Sequence, residues 1–169
     1  MMRFCTVLFL SATLIFVGCT KKDESVYQNA AKACLEKKDI KGAVENFNKI
    51  AEEFPESPSA PKALYDIAGI FQNKMDVTLD PTTSLKKAIE YFAKVVEKYP
   101  KSKEAPLALF NTGFIQANEL QQYDEAKKSY GKFLKDYPQH EMAAAAKQEI
   151  DFMGVSPESL IQKKIAGKK

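Results

Sequence analysis

The stretch Ala43-Val44-Glu45-Asn46-Phe47-Asn48-Lys49-Ile50-Ala51-Glu52-Glu53-Phe54-Pro55 decides the fold, because its skeleton occurs three times. An alanine is followed four residues later by an aromatic, and seven residues beyond that by an aromatic-proline pair. The phrase returns as Ala88…Phe92…Tyr99-Pro100 and as Ala126…Tyr130…Tyr137-Pro138. A repeat of this length is one supersecondary unit that cannot bury its apolar face alone and does so by stacking on copies of itself. The small residues Ala43, Ala88 and Ala126 let two helices approach closely, and Phe47, Phe92 and Tyr130 fill the space to the neighbouring unit. Pro55, Pro100 and Pro138 close each unit, since proline cannot continue a helix and turns the preceding residue away from helical geometry.

Working outward from these units, the apolar period is helical from Val26 onward and no alternating strand pattern of useful length occurs. The chain therefore reads as all-α. Tyr27, Ala30, Ala31 and Cys34 mark one face of a first helix. Ile40, Ala43, Val44, Phe47, Ile50 and Ala51 mark a second, with Lys38-Asp39 as the turn and Asp39 as its cap. In the next unit Ser57 or Ser59 can cap, and Pro61 suits the first turn, where its missing N–H is not needed. Ala60-Pro61-x-Ala63-Leu64-Tyr65 is answered 45 residues later by Ala105-Pro106-x-Ala108-Leu109-Phe110. Met142 to Met153 reads as a further helix ended by Gly154.

The period is irregular. The three prolines are spaced by 45 and 38 residues, against 34 for a minimal helix-turn-helix repeat of this kind. Ala31 to Ala43 spans 12 residues and Ala68 to Ala88 spans 20. The surplus falls on Lys74 to Thr83, which predicts a projecting loop over 75–83 in the second unit. Gly113 to Ala126 carries a one-residue surplus, which threatens a register slip in the third.

With 169 residues, 45% apolar and 28% charged, the chain has the size and composition of one globular domain. Its net charge is +3; without the first 18 residues, which hold Arg3 and no acid, 24 basic side chains face 22 acidic ones, a net of +2. That balance argues against nucleic acid, which favours a concentrated basic face.

Residues 1–18 differ in kind. A charged start, Met1-Met2-Arg3, precedes a mostly apolar run from Phe4 to Val17, too short to cross a bilayer core of about 30 Å as a helix. A cleaved export signal is the expectation. Phe16-Val17-Gly18-Cys19, followed at once by polar Thr20-Lys21-Lys22-Asp23-Glu24, resembles the lipobox of bacterial lipoproteins, where cleavage precedes a cysteine that receives acyl chains. The resemblance implies lipidation of Cys19, with 19–25 as a lipidated tether. Several acyl chains hold far more strongly than one. Thr20 is not the aspartate that favours inner-membrane retention in such lipoproteins, which implies outer-membrane sorting. Cys5 leaves with the signal and Cys19 is consumed by lipid, so Cys34 remains alone and suits a small buried hydrophobe.

Small residues at Ala31, Ala68 and Gly113, followed by the three Ala/aromatic/Pro phrases, resemble tetratricopeptide repeats across 26–153. The phrasing from Tyr99 to Phe110, with Tyr123-Asp124-Glu125-Ala126 and Phe133-Leu134-x-x-Tyr137-Pro138, is similar to a bacterial envelope subgroup. That subgroup contains the outer-membrane β-barrel-assembly lipoprotein family and the repeat domain of the Tol-Pal-associated periplasmic coordinator. The resemblance implies a solenoid of about three helix-turn-helix repeats, anchored by lipid and facing the periplasm, that binds other envelope proteins or peptides. Residues 154–169, with Ser156-Pro157-Glu158, Leu160-Ile161…Ile165 and Lys163-Lys164…Lys168-Lys169, are expected to form a capping helix and basic tail.

Enzymatic chemistry has little to work with. One histidine, no tryptophan, no Gly-rich phosphate loop and no cysteine pair at metal spacing predict no catalytic residues, no metal and no cofactor. Glu45, Glu52, Glu53, Glu90 and Glu97 interleave with lysines as solvated helix faces. A helical-repeat solenoid instead offers a concave surface lined by the first helix of each unit. Gln28, Lys32, Tyr65, Gln72, Asn73, Phe110, Phe114 and Asn118 take such positions by register. Tyr65, Phe110 and Phe114 make either an apolar stripe for an extended peptide or partner helix, or inter-repeat packing, since a slip of one residue exchanges the two. A non-catalytic binding scaffold is thus the leading expectation. A self-assembling repeat module, or a peptidoglycan- or Tol-Pal-associated binding protein, is the alternative.

Overall fold

Proline ends every second helix, and it does so with the same backbone each time. The computed structural model describes residues 23–155. Phe54, Tyr99 and Tyr137 have φ/ψ of −130°/52°, −132°/53° and −130°/53°, outside the helical region as a residue before proline must be. Each still returns its N–H to the carbonyl four residues back, at Ile50, Val95 and Phe133. Each carbonyl then accepts from the residue three ahead, Ser57, Ser102 or His140, which turns the chain into the next unit.

Among the described residues there are seven α-helices and no strand, an all-α solenoid. They are α1 (Glu24–Glu36), α2 (Ile40–Glu53), α3 (Ser59–Gln72), α4 (Pro81–Lys98), α5 (Glu104–Phe114), α6 (Tyr123–Asp136) and α7 (Ala143–Phe152). Helices α1/α2, α3/α4 and α5/α6 form the three units, each packed on the next, and α7 packs on α6. The helix starts follow capping chemistry. Asp23, Asp39 and Asp80 accept backbone N–H groups from Ser25, Gly42 and Thr83 at 2.9, 2.9 and 3.0 Å. Ser25, through its backbone N–H first, holds the Asp23 carboxyl below the usual carboxylate range, and Thr83, through its side chain first and its N–H second, does the same for Asp80. Ser57, not Ser59, supplies the hydroxyl before α3, accepting from Ser59 N at 3.1 Å.

The core consists of the repeated residues. Ala43, Ala88 and Ala126 are fully buried, as are Ala31 and Ala68 opposite them, with Phe47, Phe92 and Tyr130 packed between units. At Gly113, the third counterpart of Ala31 and Ala68, an added Cβ would lie 2.9 Å from the Tyr130 ring, so only glycine fits. Cys34 is a free thiol, half-buried rather than fully so; burial first, then the Asp39 carboxylate, push its ionisation up.

Three expected boundaries shift. The loop placed at 75–83 spans only Asn73 to Asp80, because Asp80 as cap and Pro81 as first helical residue start α4 a turn early. Ser84, buried in that added turn, donates to Phe71 O at 2.7 Å and ties α4 to the end of α3. The tether placed at 19–25 gives way to α1 at Glu24. The one-residue surplus in unit three is absorbed locally: Ile115–Glu119 is a π-helical turn, closed by Leu120 N to Ile115 O at 3.0 Å. Gly154, at φ +73°, follows α7 as the left-handed residue that ends it. The signal at 1–18, Cys19, and all of the C-terminal segment beyond Val155 lie outside the described residues.

Candidate functional site

Helices α1 and α3, the first helices of units one and two, are separated at the surface by a groove of about 450 Å³. Its floor comes from Phe47 and Ile50 of α2 with Ala63 and Ile70 of α3; its rim carries Gln28, Lys32, Tyr65, Asp66 and Asn73. One end is latched. Gln28 Nε2 donates to Ser59 Oγ at 2.8 Å, and that hydroxyl donates to Glu24 Oε1 at 3.1 Å. Along the rim, Lys62 Nζ binds both Asp66 oxygens at 2.8 and 2.6 Å, one turn apart on α3. Mid-groove sits Gly69, where a Cβ would meet nothing within 4 Å. Glycine costs a helix interior about 0.5–1 kcal/mol relative to alanine, so its absent side chain leaves the groove open at some expense to the helix.

The residues singled out from sequence divide between places. Tyr65 and Asn73 line this groove with Gln28 and Lys32. Tyr65 is half-buried, its ring 5.3 Å from Phe92 and its hydroxyl accepting from Asn111 Nδ2 at 2.9 Å. Burial pushes its phenol above the ordinary value. Asn73 is exposed and its amide donates to Gly69 O at 2.8 Å; Gln72 beside it is half-buried. Phe110 does not reach the groove. At 8% exposure it packs in the core, edge-on to Tyr130 and Phe133 at 5.3 and 5.8 Å, and inter-repeat packing is the reading that holds there. Phe114 is 37% exposed at the end of α5 and Asn118 lies in the π-helical turn, its amide donating to Phe114 O at 3.2 Å. Asn118 belongs to a separate cavity of about 520 Å³ beside Tyr123 and Phe152. Gly69, Lys62 and Asp66 were missed from sequence; a lone glycine inside the α3 apolar pattern was the available signal.

A second cavity, of about 690 Å³, lies where the α1–α2 turn meets the 73–80 loop, and shares Leu35 and Met75 with the groove. Met75, flexible and partly exposed, therefore stands between the two. The loop is internally tied. Asp76 accepts from Thr78 Oγ1 at 2.6 Å and Thr78 N at 3.1 Å, the hydroxyl first in lowering its carboxyl, and Lys74 reaches Glu119 of the π-helical turn at 2.9 Å. Val77 at its tip is 91% exposed.

Among the described residues no group of histidine, cysteine, aspartate and glutamate could hold a metal ion, and no helix is long and apolar enough to cross a membrane. What the arrangement offers is surface: an apolar floor with a polar rim, on rigid helices.

A search of curated proteins returned no match. A family model described as YfiO, outer membrane lipoprotein, matches residues 20–155, a span that takes in every helix of the solenoid. With three helix-turn-helix units and that match over most of its length, the chain belongs to the YfiO family of outer membrane lipoproteins.

Proposed function

We propose that this protein is a lipid-anchored, non-catalytic scaffold on the periplasmic side of the outer membrane that holds segments of other envelope proteins during their assembly. Cys19 carries the anchor and residues 154–169 follow the repeat domain as its cap and basic tail. Membership in an outer membrane lipoprotein family supports the anchor and the location. The observation that carries the binding role is the α1–α3 groove, whose apolar floor stays open because Gly69 projects nothing over it. Tyr65 and Asn73 are its binding residues on α3 and the start of the following loop, with Gln72 adjoining them outside the groove lining. Phe114 and Asn118 extend the contact onto unit three.

Gly69→Leu tests the reading, because leucine favours helix and a Cβ at that position meets nothing within 4 Å. A photo-crosslinker at Asn73 in native membranes should attach envelope proteins, and Gly69→Leu should abolish those adducts while thermal unfolding stays at or above the parent value. Unchanged adducts in the folded Leu variant would show that the groove is not the binding surface.

A further inference from the structure

We infer that the α1–α3 groove and the second cavity are one continuous site, parted only by the Met75 side chain, and that its occupant is an extended segment of another envelope protein in which apolar residues alternate with acidic ones. This deepens the binding role proposed above and rests on it. The two cavities share Leu35 and Met75 in their linings. Met75 is 41% exposed and its chain is unbranched and adaptable, so it parts the cavities as a side chain that can swing aside rather than as a wall of backbone.

Length and floor set the form of the occupant. The groove follows α3, a helix of 14 residues and so about 20 Å long, which about six residues of extended chain span; the second cavity takes a few more. The floor is apolar in both parts, with Phe47, Ile50 and Ile70 in the groove and Val44 and Phe71 beyond Met75. In an extended segment successive side chains point opposite ways, so apolar ones meet the floor while those between them stand at the rim.

Charge selects what the rim-facing side chains carry. The two linings together hold five lysines and four carboxylates. Every one of those carboxylates is already engaged: Asp66 holds Lys62 through both oxygens, Asp39 accepts from Gly42 N at 2.9 Å, Asp76 accepts from Thr78, and Glu45 approaches Lys41 at 4.0 Å. Among the described residues Lys32, Lys38 and Lys87 have no carboxylate within ion-pair distance, and Lys87 lies 5.2 Å over the Phe71 ring. Lys32 stands on the groove, and Lys38 and Lys87 stand beyond Met75, so unpaired cations border both parts. Around the linings Glu119 holds Lys74, Asp80 caps α4, and Glu36 and Glu90 are offset by Lys37 and Lys86. The site thus presents free ammonium groups and no free carboxylate, which attracts acidic side chains and turns basic ones away.

The test uses the full lipidated chain in phosphatidylcholine nanodiscs and two fluorescent peptides of about eight residues, one alternating leucine with glutamate and the other leucine with lysine. Fluorescence anisotropy should show the glutamate peptide binding at least about tenfold more tightly, with the gap narrowing as salt is added. Lys32→Gln, and separately Lys38→Gln with Lys87→Gln, should each weaken it about two- to fivefold, whereas Lys98→Gln with Lys101→Gln, in a depression apart from both cavities, should leave it unchanged. Equal affinity for the two peptides, or preference for the lysine one, overturns the acidic occupant. A glutamate peptide indifferent to the change at Lys38 and Lys87 overturns the joining of the cavities. Gly69→Leu separates these failures from failure of the groove itself. If it abolishes the Asn73 adducts while neither peptide is preferred or neither binds, the groove reading stands and this inference alone is lost; if it leaves the adducts intact, both are lost.

Discussion

Replacing Tyr130 by Phe should stabilise the protein, and by more as the solution becomes alkaline. Tyr130 occupies in unit three the place of Phe47 and Phe92 in the others, and it is fully buried, its ring 5.3 Å from Phe110. Its hydroxyl has no hydrogen-bond partner among the described residues. A buried hydroxyl stripped of water and left unpaired costs about 1–3 kcal/mol, while phenylalanine keeps the ring contacts. At neutral pH the variant should gain about 1 kcal/mol, which for a domain of this size raises Tm by roughly 2–6 °C. Burial first, and the Glu149 carboxylate second, push the phenol well above its ordinary value of 10.0. Above that pH the unfolded chain loses this proton while the folded one keeps it, so the native state holds more protons and stability must fall as pH rises. For one proton the slope is at most about 1.4 kcal/mol per pH unit. Tyr65, Tyr99 and Tyr137 are shifted the same way and remain in both proteins, so their contribution cancels in the comparison. Denaturant titrations at about pH 8 and at steps above pH 10 should therefore show parent and variant diverging. A variant less stable than the parent by more than about 0.5 kcal/mol, or a gap constant with pH, would refute the assignment of an unpaired buried hydroxyl.

The remaining predictions concern packing and one buried bond. Phe92→Ala empties a fully buried site in unit two, against Tyr65, and should cost about 3–5 kcal/mol in equilibrium unfolding; a cost under about 1 kcal/mol would remove Phe92 from the core. Gly113→Ala and Gly69→Ala should have opposite signs. The first pushes a methyl to 2.9 Å from the Tyr130 ring and should destabilise by about 1–3 kcal/mol, while the second meets open space and should gain about 0.5–1 kcal/mol by helix propensity; equal effects in thermal melts would sink the contrast. Ser84→Ala removes the donor to Phe71 O and should cost about 1–3 kcal/mol, with faster hydrogen exchange at the start of α4; unchanged exchange there would mean that this bond does not hold the added turn.

What could be read without coordinates was what the chain repeats. Ala43, Ala88 and Ala126, their aromatic partners and the three prolines determine helix pairing, core and unit boundaries, because each acts locally: small residues permit close approach, and proline dictates the backbone before it. Asp39 as a cap is equally local. Where units departed from the repeat, sequence reported only that residues were in excess. It could not say whether the surplus before Ala88 would loop out or lengthen a helix, and the structure does both, through the 73–80 loop and the early start of α4 at Pro81. Nor could it say how one extra residue before Ala126 would be spent. A π-helical turn takes it up and leaves the buried Gly113–Tyr130 contact in register, which returns Phe110 to the core while Tyr65 stays on the groove. Those outcomes depend on which side chain fills the space between units, and that is a property of the packed solenoid rather than of any segment of the chain.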